Sequence, residues 1–192
     1  MVWFRLAAFV GAAYLCLGCT PLPRVDQEDY CYADTAFVAE ITKKNIDEVE
    51  IKYEYTVQKM YKGDPGSRTL VGFGEMNSCG PQNLEPNTEY LIYGKSNIIT
   101  KANDFDSNTL QIVAYKNMDD VKNKDIERME KFYDCSCKIN HDYDAFINMP
   151  SSGLPEPASN ECNAPSDFCP NSGFCKKSIE GQCTWGSLGD CY

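Results

Sequence analysis

Eleven cysteines in 192 residues constrain this chain more than any other feature. One of them, Cys16, lies in an N-terminal stretch, residues 1–18, that reads MVWFRLAAFVGAAYLCLG. Arg5 is its only charge, and residues 6–17 form a run of 12 apolar or small residues. That run is too short to span a hydrocarbon core of ~30 Å as a helix. A charged start, a short apolar core and a small residue at the end describe a secretory signal that ends at Gly18. A buried helix or a membrane anchor is the alternative. Leu15-Cys16-Leu17-Gly18-Cys19 also loosely matches a bacterial lipid-attachment box, but Leu17 stands where that box prefers a small residue. Cutting after Gly18 removes Cys16 and leaves ten cysteines, an even number that suits an oxidising compartment. Zinc-finger spacing does not explain them. The closest pair, Cys135-Ser136-Cys137, is one residue apart, and the single histidine, His141, sits in no ligand pattern.

Charge excludes some partners. The chain carries 18 Lys and Arg against 28 Asp and Glu, a net charge of −10. No basic run exists to neutralise phosphates, so neither nucleic acid nor a heparin-like polyanion is expected as a partner. Acidity alone describes a solvated surface. No Asn-x-Ser/Thr acceptor for N-glycosylation occurs, and there are no internal repeats.

Hydrophobic patterning marks the elements. Acidic residues early in 25–34 suit the start of a short helix. Residues 36–42 alternate roughly. Residues 49–61 alternate cleanly, with Val49, Ile51, Tyr53, Tyr55 and Val57 on one face. Lys62-Gly63-Asp64-Pro65-Gly66 reads as a turn. Residues 69–73, 89–95 and 110–115 are three further strands, and the apolar run in 89–95 predicts burial on both sides. Asp119 or Asp120 can cap a helix running to about Tyr133, with Val121, Ile126, Met129 and Phe132 near one face. Five strands with flanking helices predict an all-β fold, a small Greek-key barrel of the OB type, with a β-sandwich as the alternative from pattern alone. Residues 138–161 read as a linker or irregular loop. Residues 162–192 hold five cysteines in little apolar material, so that small C-terminal region needs disulfides.

Several motifs, in order, resemble the tissue inhibitors of metalloproteinases. The chain reads Cys19-Thr20-x-x-Pro23, then Cys31-x-Ala33-Asp34, then Ser78-Cys79-Gly80. Tyr90-Leu91-Ile92-x-Gly94-Lys95 and Cys135-x-Cys137-Lys138-Ile139 follow, and residues 175–185, CKKSIEGQCTW, are similar to the family's last disulfide turn. The resemblance implies a netrin-like OB-fold domain over residues 19–137, with a disulfide-rich C-terminal subdomain over 162–192. It implies the pairings Cys19–Cys79, Cys31–Cys135 and Cys137–Cys183, and leaves Cys162, Cys169, Cys175 and Cys191 unassigned. The chain departs from the family at two linked positions. Pro21 stands where the family has a second cysteine, and Ala114 stands where that cysteine's partner lies. The C-terminal region departs as well, with a cysteine-free insert and a terminal Cys191.

The resemblance also implies a function. The α-amine and carbonyl of Cys19, as the first mature residue, would chelate the catalytic zinc of a matrix-type zinc metalloproteinase, and Thr20 would enter its specificity pocket. Catalytic zinc keeps one exchangeable position, and an α-amine with a pKa near ~8 is accessible in neutral form. Pro21, Leu22 and Pro23 would continue the contact, with φ restricted at both prolines. Glu75, Met76, Asn77 and Ser78 would flank the cleft as a second contact. No cofactor of its own is expected beyond the partner's zinc, and a secreted monomer with no membrane attachment after signal cleavage is expected. No catalytic set can be assembled around His141, so an enzyme is not expected. The competing reading is a non-inhibitory netrin-like module that holds a matrix or signalling partner. A disulfide-rich structural or defence peptide would account for the last 31 residues but not for five strands.

Overall fold

The computed structural model describes residues 23–66, 68–96 and 109–191. The chain opens with helix α1 (Asp26–Tyr32). Strands β1 (Thr35–Ile46), β2 (Glu50–Lys62), β3 (Thr69–Phe73), β4 (Thr88–Ser96) and β5 (Thr109–Asn117) follow. They close a barrel in the order β1-β2-β3-β5-β4, with β1 paired to both β2 and β4 and β3 parallel to β5. Closure leaves one sheet, which excludes the sandwich and matches the five-stranded OB-type expectation.

Period-two alternation fills the interior. Phe37, Ala39 and Ile41 of β1 meet Ile51 and Tyr53 of β2, Leu70 of β3, Tyr90 and Ile92 of β4, and Leu110 and Ile112 of β5. Tyr55 and Val57 pack against this core, as their shared face predicts, but Val49 does not. It precedes β2 at the hairpin tip and is exposed, because alternation continues in the sequence beyond the point where the barrel stops. The opposite faces of β1 and β4 are buried too: Ala36, Val38, Leu91 and Tyr93 form a second cluster with Ala33 and Met129. That second cover explains the unbroken apolar run in β4, where Tyr90 to Gly94 are all buried. Gly94 is required by packing, since a Cβ there would lie 2.7 Å from the Leu110 side chain.

Helix α2 (Asn123–Lys131) begins later than Asp119 or Asp120. Residues 118–120 form a turn instead, and the Lys122 backbone N–H is capped by the Asp125 carboxylate at 2.7 Å. Val121 and Ile126 pack with Met129 beneath the sheet, whereas Phe132 turns to Phe174 of the tail, ring centres 5.0 Å apart. Beyond α2, β6 (Lys138–Asn140) pairs in parallel with β7 (Glu161–Asn163), and β8 (Gly173–Lys177) pairs with β9 (Cys183–Ser187). The segment read as a linker or irregular loop therefore begins on a strand, carries the one-turn helix α3 (Tyr143–Phe146), and runs into β7. Cys31 is bonded to Cys135, Cys137 to Cys183, Cys162 to Cys175 and Cys169 to Cys191. The tail core is built largely of these half-cystines, with Val25, Ile139, Ala164, Phe168 and Trp185.

Helix α1 is seven residues long, too short to persist alone. Its last turn has no basic residue, and the barrel supplies the cations. Lys62 donates to the carbonyls of Tyr30 and Ala33 at 2.8 and 2.6 Å, and Lys95 to that of Tyr32 at 2.7 Å. Buried Gln27 does for the tail what a strand would do. Its Nε2 donates to the carbonyls of Cys175 (2.8 Å) and Asp134 (2.9 Å), and its Oε1 accepts from the Cys175 N–H at 2.7 Å. Gln27→Ala would leave those buried groups unmet. It is expected to cost about 2–3 kcal/mol in urea denaturation, and a loss under about 0.5 kcal/mol, the level of an ordinary surface change, would show that the tail does not depend on it.

Candidate functional site

Cys19, Thr20, Pro21 and Leu22 lie outside the described residues, as does the stretch read as a signal, so their placement is not part of the geometry below. The described chain starts at Pro23, which is buried, and its next residues are held firmly. Arg24 Nη2 lies 2.5 Å from Asp29 Oδ1. The Val25 N–H donates to Glu28 Oε2 at 2.9 Å, and the Asp26 N–H donates to the Pro170 carbonyl at 3.1 Å. Glu28 Oε2 also meets His141 Nε2 at 2.8 Å. The lone histidine is thus a buried strut between α1 and the tail. The root of the N-terminal segment is clamped between α1 and the C-terminal region, and any group carried on residues 19–22 starts from a rigid base.

The second expected contact, Glu75, Met76, Asn77 and Ser78, sits in a loop of defined shape. The Gly74 N–H donates to the Val49 carbonyl at 3.0 Å and the Met76 N–H to that of Glu48 at 3.0 Å. Asn77 turns inward, its Oδ1 accepting from the Cys79 N–H at 2.9 Å, and the Gly80 N–H closes the turn on the Asn77 carbonyl. Gly80, at φ +80°, ends it in the left-handed region where glycine is favoured. Glu75, Met76 and Ser78 face outward, Met76 with 72% of its surface exposed. Cys79 is disulfide-bonded. Behind the loop, Gln82 accepts from the Phe73 N–H at 3.0 Å and donates to the Ile112 carbonyl at 3.3 Å. Tyr53 OH donates to the Gln82 carbonyl at 2.5 Å and accepts from the Leu84 N–H at 3.0 Å. Buried Tyr53 and Leu84 thereby fasten the loop to the barrel core.

The loop brings in residues that sequence reading placed elsewhere. Its backbone bonds run to the β1–β2 hairpin tip, where Ile46 and Val49 are both exposed. With Met76 they add to the apolar surface at this end of the barrel. Val49 read as core by alternation, and only its position past the last barrel turn would have marked it as surface. Ala114 is partly buried beneath the sheet, and no cysteine occupies β5. Among the described residues one trio of metal-type side chains lies close together, Cys137, Cys175 and Cys183. All three are in disulfides, so none offers a thiolate ligand.

Asp29 sits at the base of the segment. Burial, partly offset by Arg24, pushes its carboxyl up to about 6. An unfolded Asp titrates near ~3.9, so the fold favours the neutral form. Stability from this group is full below about pH 4 and is lost as pH rises through about 6, on the order of 2–3 kcal/mol. Asp29→Asn is expected to flatten that slope in denaturation series between pH 4 and 7, and an unchanged slope would assign it to other groups. Gly74 is the loop's steric test. A Cβ there would lie 2.6 Å from the Glu48 carbonyl oxygen. Gly74→Ala is expected to displace the loop and cost roughly 1–3 kcal/mol, read as a lowered melting temperature with lost hydrogen-exchange protection at Met76. Retained protection would show that the loop is not held by this approach.

Among the described residues no helix is long and apolar enough to cross a membrane. No curated protein matches the chain. The family model for the UNC-6/NTR/C345C module matches residues 28–132, more than half of the sequence. That span starts in α1, takes in all five barrel strands and ends just after α2. A closed five-stranded barrel and abundant disulfides, together with that match, fit an extracellular protein. The chain belongs to the NTR-module family.

Proposed function

We propose that this chain is a secreted inhibitor of zinc metalloproteinases of the matrix type, acting through the backbone of Cys19. The α-amine and carbonyl of Cys19 displace the water on the protease's zinc, and Thr20 enters the adjoining specificity pocket. The inhibitor supplies no metal and no catalytic group of its own. The observation that carries this reading is the loop at residues 74–80. It is exposed, is fixed to the barrel core through Tyr53 and Gln82, and ends at disulfide-bonded Cys79. A loop so fixed suits a preformed contact, because little conformational entropy is lost on docking. The clamped root at Pro23 to Asp26 supports the reading in the same way. Glu75, Met76 and Ser78 then form the second contact, with Ile46 and Val49 of the hairpin tip beside them.

The test is a variant with one extra Ala before Cys19. The amine becomes an amide nitrogen, which is not basic and does not ligate zinc, while the barrel and Thr20 stay intact. Loss of a central anchor typically costs ~2 kcal/mol or more, so inhibition of a matrix metalloproteinase is expected to fall at least ~30-fold with an unchanged melting temperature. Equal inhibition by both forms would sink zinc chelation. Inhibition by neither would leave a netrin-like binding module that works through another face.

A further inference from the structure

A second surface lies on the C-terminal region. Tyr143, Phe146, Ile147 and Met149 expose 46–56% of their surfaces within seven consecutive residues. Single exposed apolar residues are ordinary, but a run of this kind marks a contact. The segment is ordered by its own hydrogen bonds. The Asp142 carboxylate caps α3, accepting from the Ala145 N–H at 3.0 Å, and also accepts from Ser151 Oγ at 2.5 Å. The Met149 N–H closes back on the Asp144 carbonyl at 2.8 Å.

A cleft of about 80 Å³ opens beside it, walled by Pro23, His141, Ala145, Phe146, Ala164 and Phe168. At ~30 Å³ per water it has room for two or three waters or one aliphatic side chain. The His141 side chain is 2% exposed. Its Nε2 is held by Glu28, and its Nδ1 is buried without a hydrogen-bond partner among the described residues.

Charge defines the occupant. Residues 139–175 contain five carboxylates, Asp142, Asp144, Glu156, Glu161 and Asp167, and no Lys or Arg. The preceding cation, Lys138, is already paired with Glu161 at 3.2 Å. A second copy of this chain would bring the same negative charge to the contact, and an anionic lipid surface would be repelled likewise. We propose that residues 142–149 and the cleft beside them dock a basic polypeptide segment, which seats one apolar side chain in the cleft while its cations face Asp142 of the cleft wall and the exposed Asp144 and Asp167 next to wall residues in the chain. This site does not require zinc chelation, although its wall shares Pro23 with the expected N-terminal contact. Whether its partner is the same protease or another protein, the recognition chemistry is the same.

The experiment titrates the full disulfide-bonded protein, labelled with nitrogen-15, with three synthetic peptides. One has lysines flanking a Leu-Trp-Leu centre, one has glutamates in place of the lysines, and one has serines in place of the apolar centre. The lysine peptide alone is expected to shift amide signals of residues 141–149, 164 and 166–168, more weakly as salt is raised. Phe146→Asp, at an exposed position, is expected to weaken that binding at least ~10-fold with the melting temperature unchanged. Four results would overturn the proposal: equal binding of the glutamate peptide, equal binding of the serine peptide, shifts confined to other faces, or no binding. Shifts at these amides that grow with protein concentration in the absence of peptide would assign the surface to self-association instead.

Discussion

Three consecutive side chains of α1 hold this molecule together. Asp26 points into the barrel's outer cluster, where its Oδ2 accepts from Tyr93 and Tyr133 at 2.8 Å each and its Oδ1 lies 2.6 Å from Lys116 Nζ. Burial, with this carboxylate alongside, pushes the Tyr93 hydroxyl well above its ordinary value, so it stays a donor. Gln27 stitches the helix to the β8 backbone, and Glu28 takes both the Val25 N–H and His141. Barrel, tail and N-terminal root are thus joined through one short helix. Its carbonyl end is satisfied by Lys62 and Lys95 from the barrel strands. Such a network is costly to satisfy only in part, because Asp26, Gln27 and His141 are buried.

The tail depends on covalent chemistry for a different reason. Its strands are short, and four half-cystines sit in its core beside only three aliphatic residues, Val25, Ile139 and Ala164. Cys31–Cys135 spans 104 residues of sequence and ties α1 to the end of the NTR module. On the chain-entropy account, closing a loop of that length stabilises by roughly 4–5 kcal/mol. Arg128 adds a polar clasp. Fully buried on α2, it pairs with Asp125 and donates to the Leu188 carbonyl, which brings the last strand's exit onto the barrel side of the molecule.

The frame is rigid, and the side chains with the most reactive chemistry are used to build it. Its single histidine is used as a buried strut, and its close cysteine sulfurs are oxidised. What it offers outward is shape: a fixed loop beside an apolar hairpin tip at one end of the barrel, and on the tail an apolar patch beside a cleft that Asp142 helps to line.

Much of the barrel was legible in the sequence, because strand periodicity is local. Ile51 and Tyr53 repeat every second residue whatever they pack against, and 69–73 reads as a strand from its own composition. The cysteine count likewise fitted an extracellular protein from the sequence alone. What the linear pattern did not contain was where a strand stops being covered. Val49 obeys the alternation yet lies past the closure of the barrel, and Asp119 can cap a helix as well as make a turn until Asp125 reaches back to Lys122. Nor did it contain the long-range polar pairs. Gln27 with Cys175, Glu28 with His141 and Asp26 with Tyr93 are separated by 148, 113 and 67 residues, and no local propensity couples them. Local backbone preference and side-chain period belong to the sequence alone, whereas the burial of polar groups, and so the clamp at the N-terminal root and the cleft at His141, exists only once distant segments exclude water from one another.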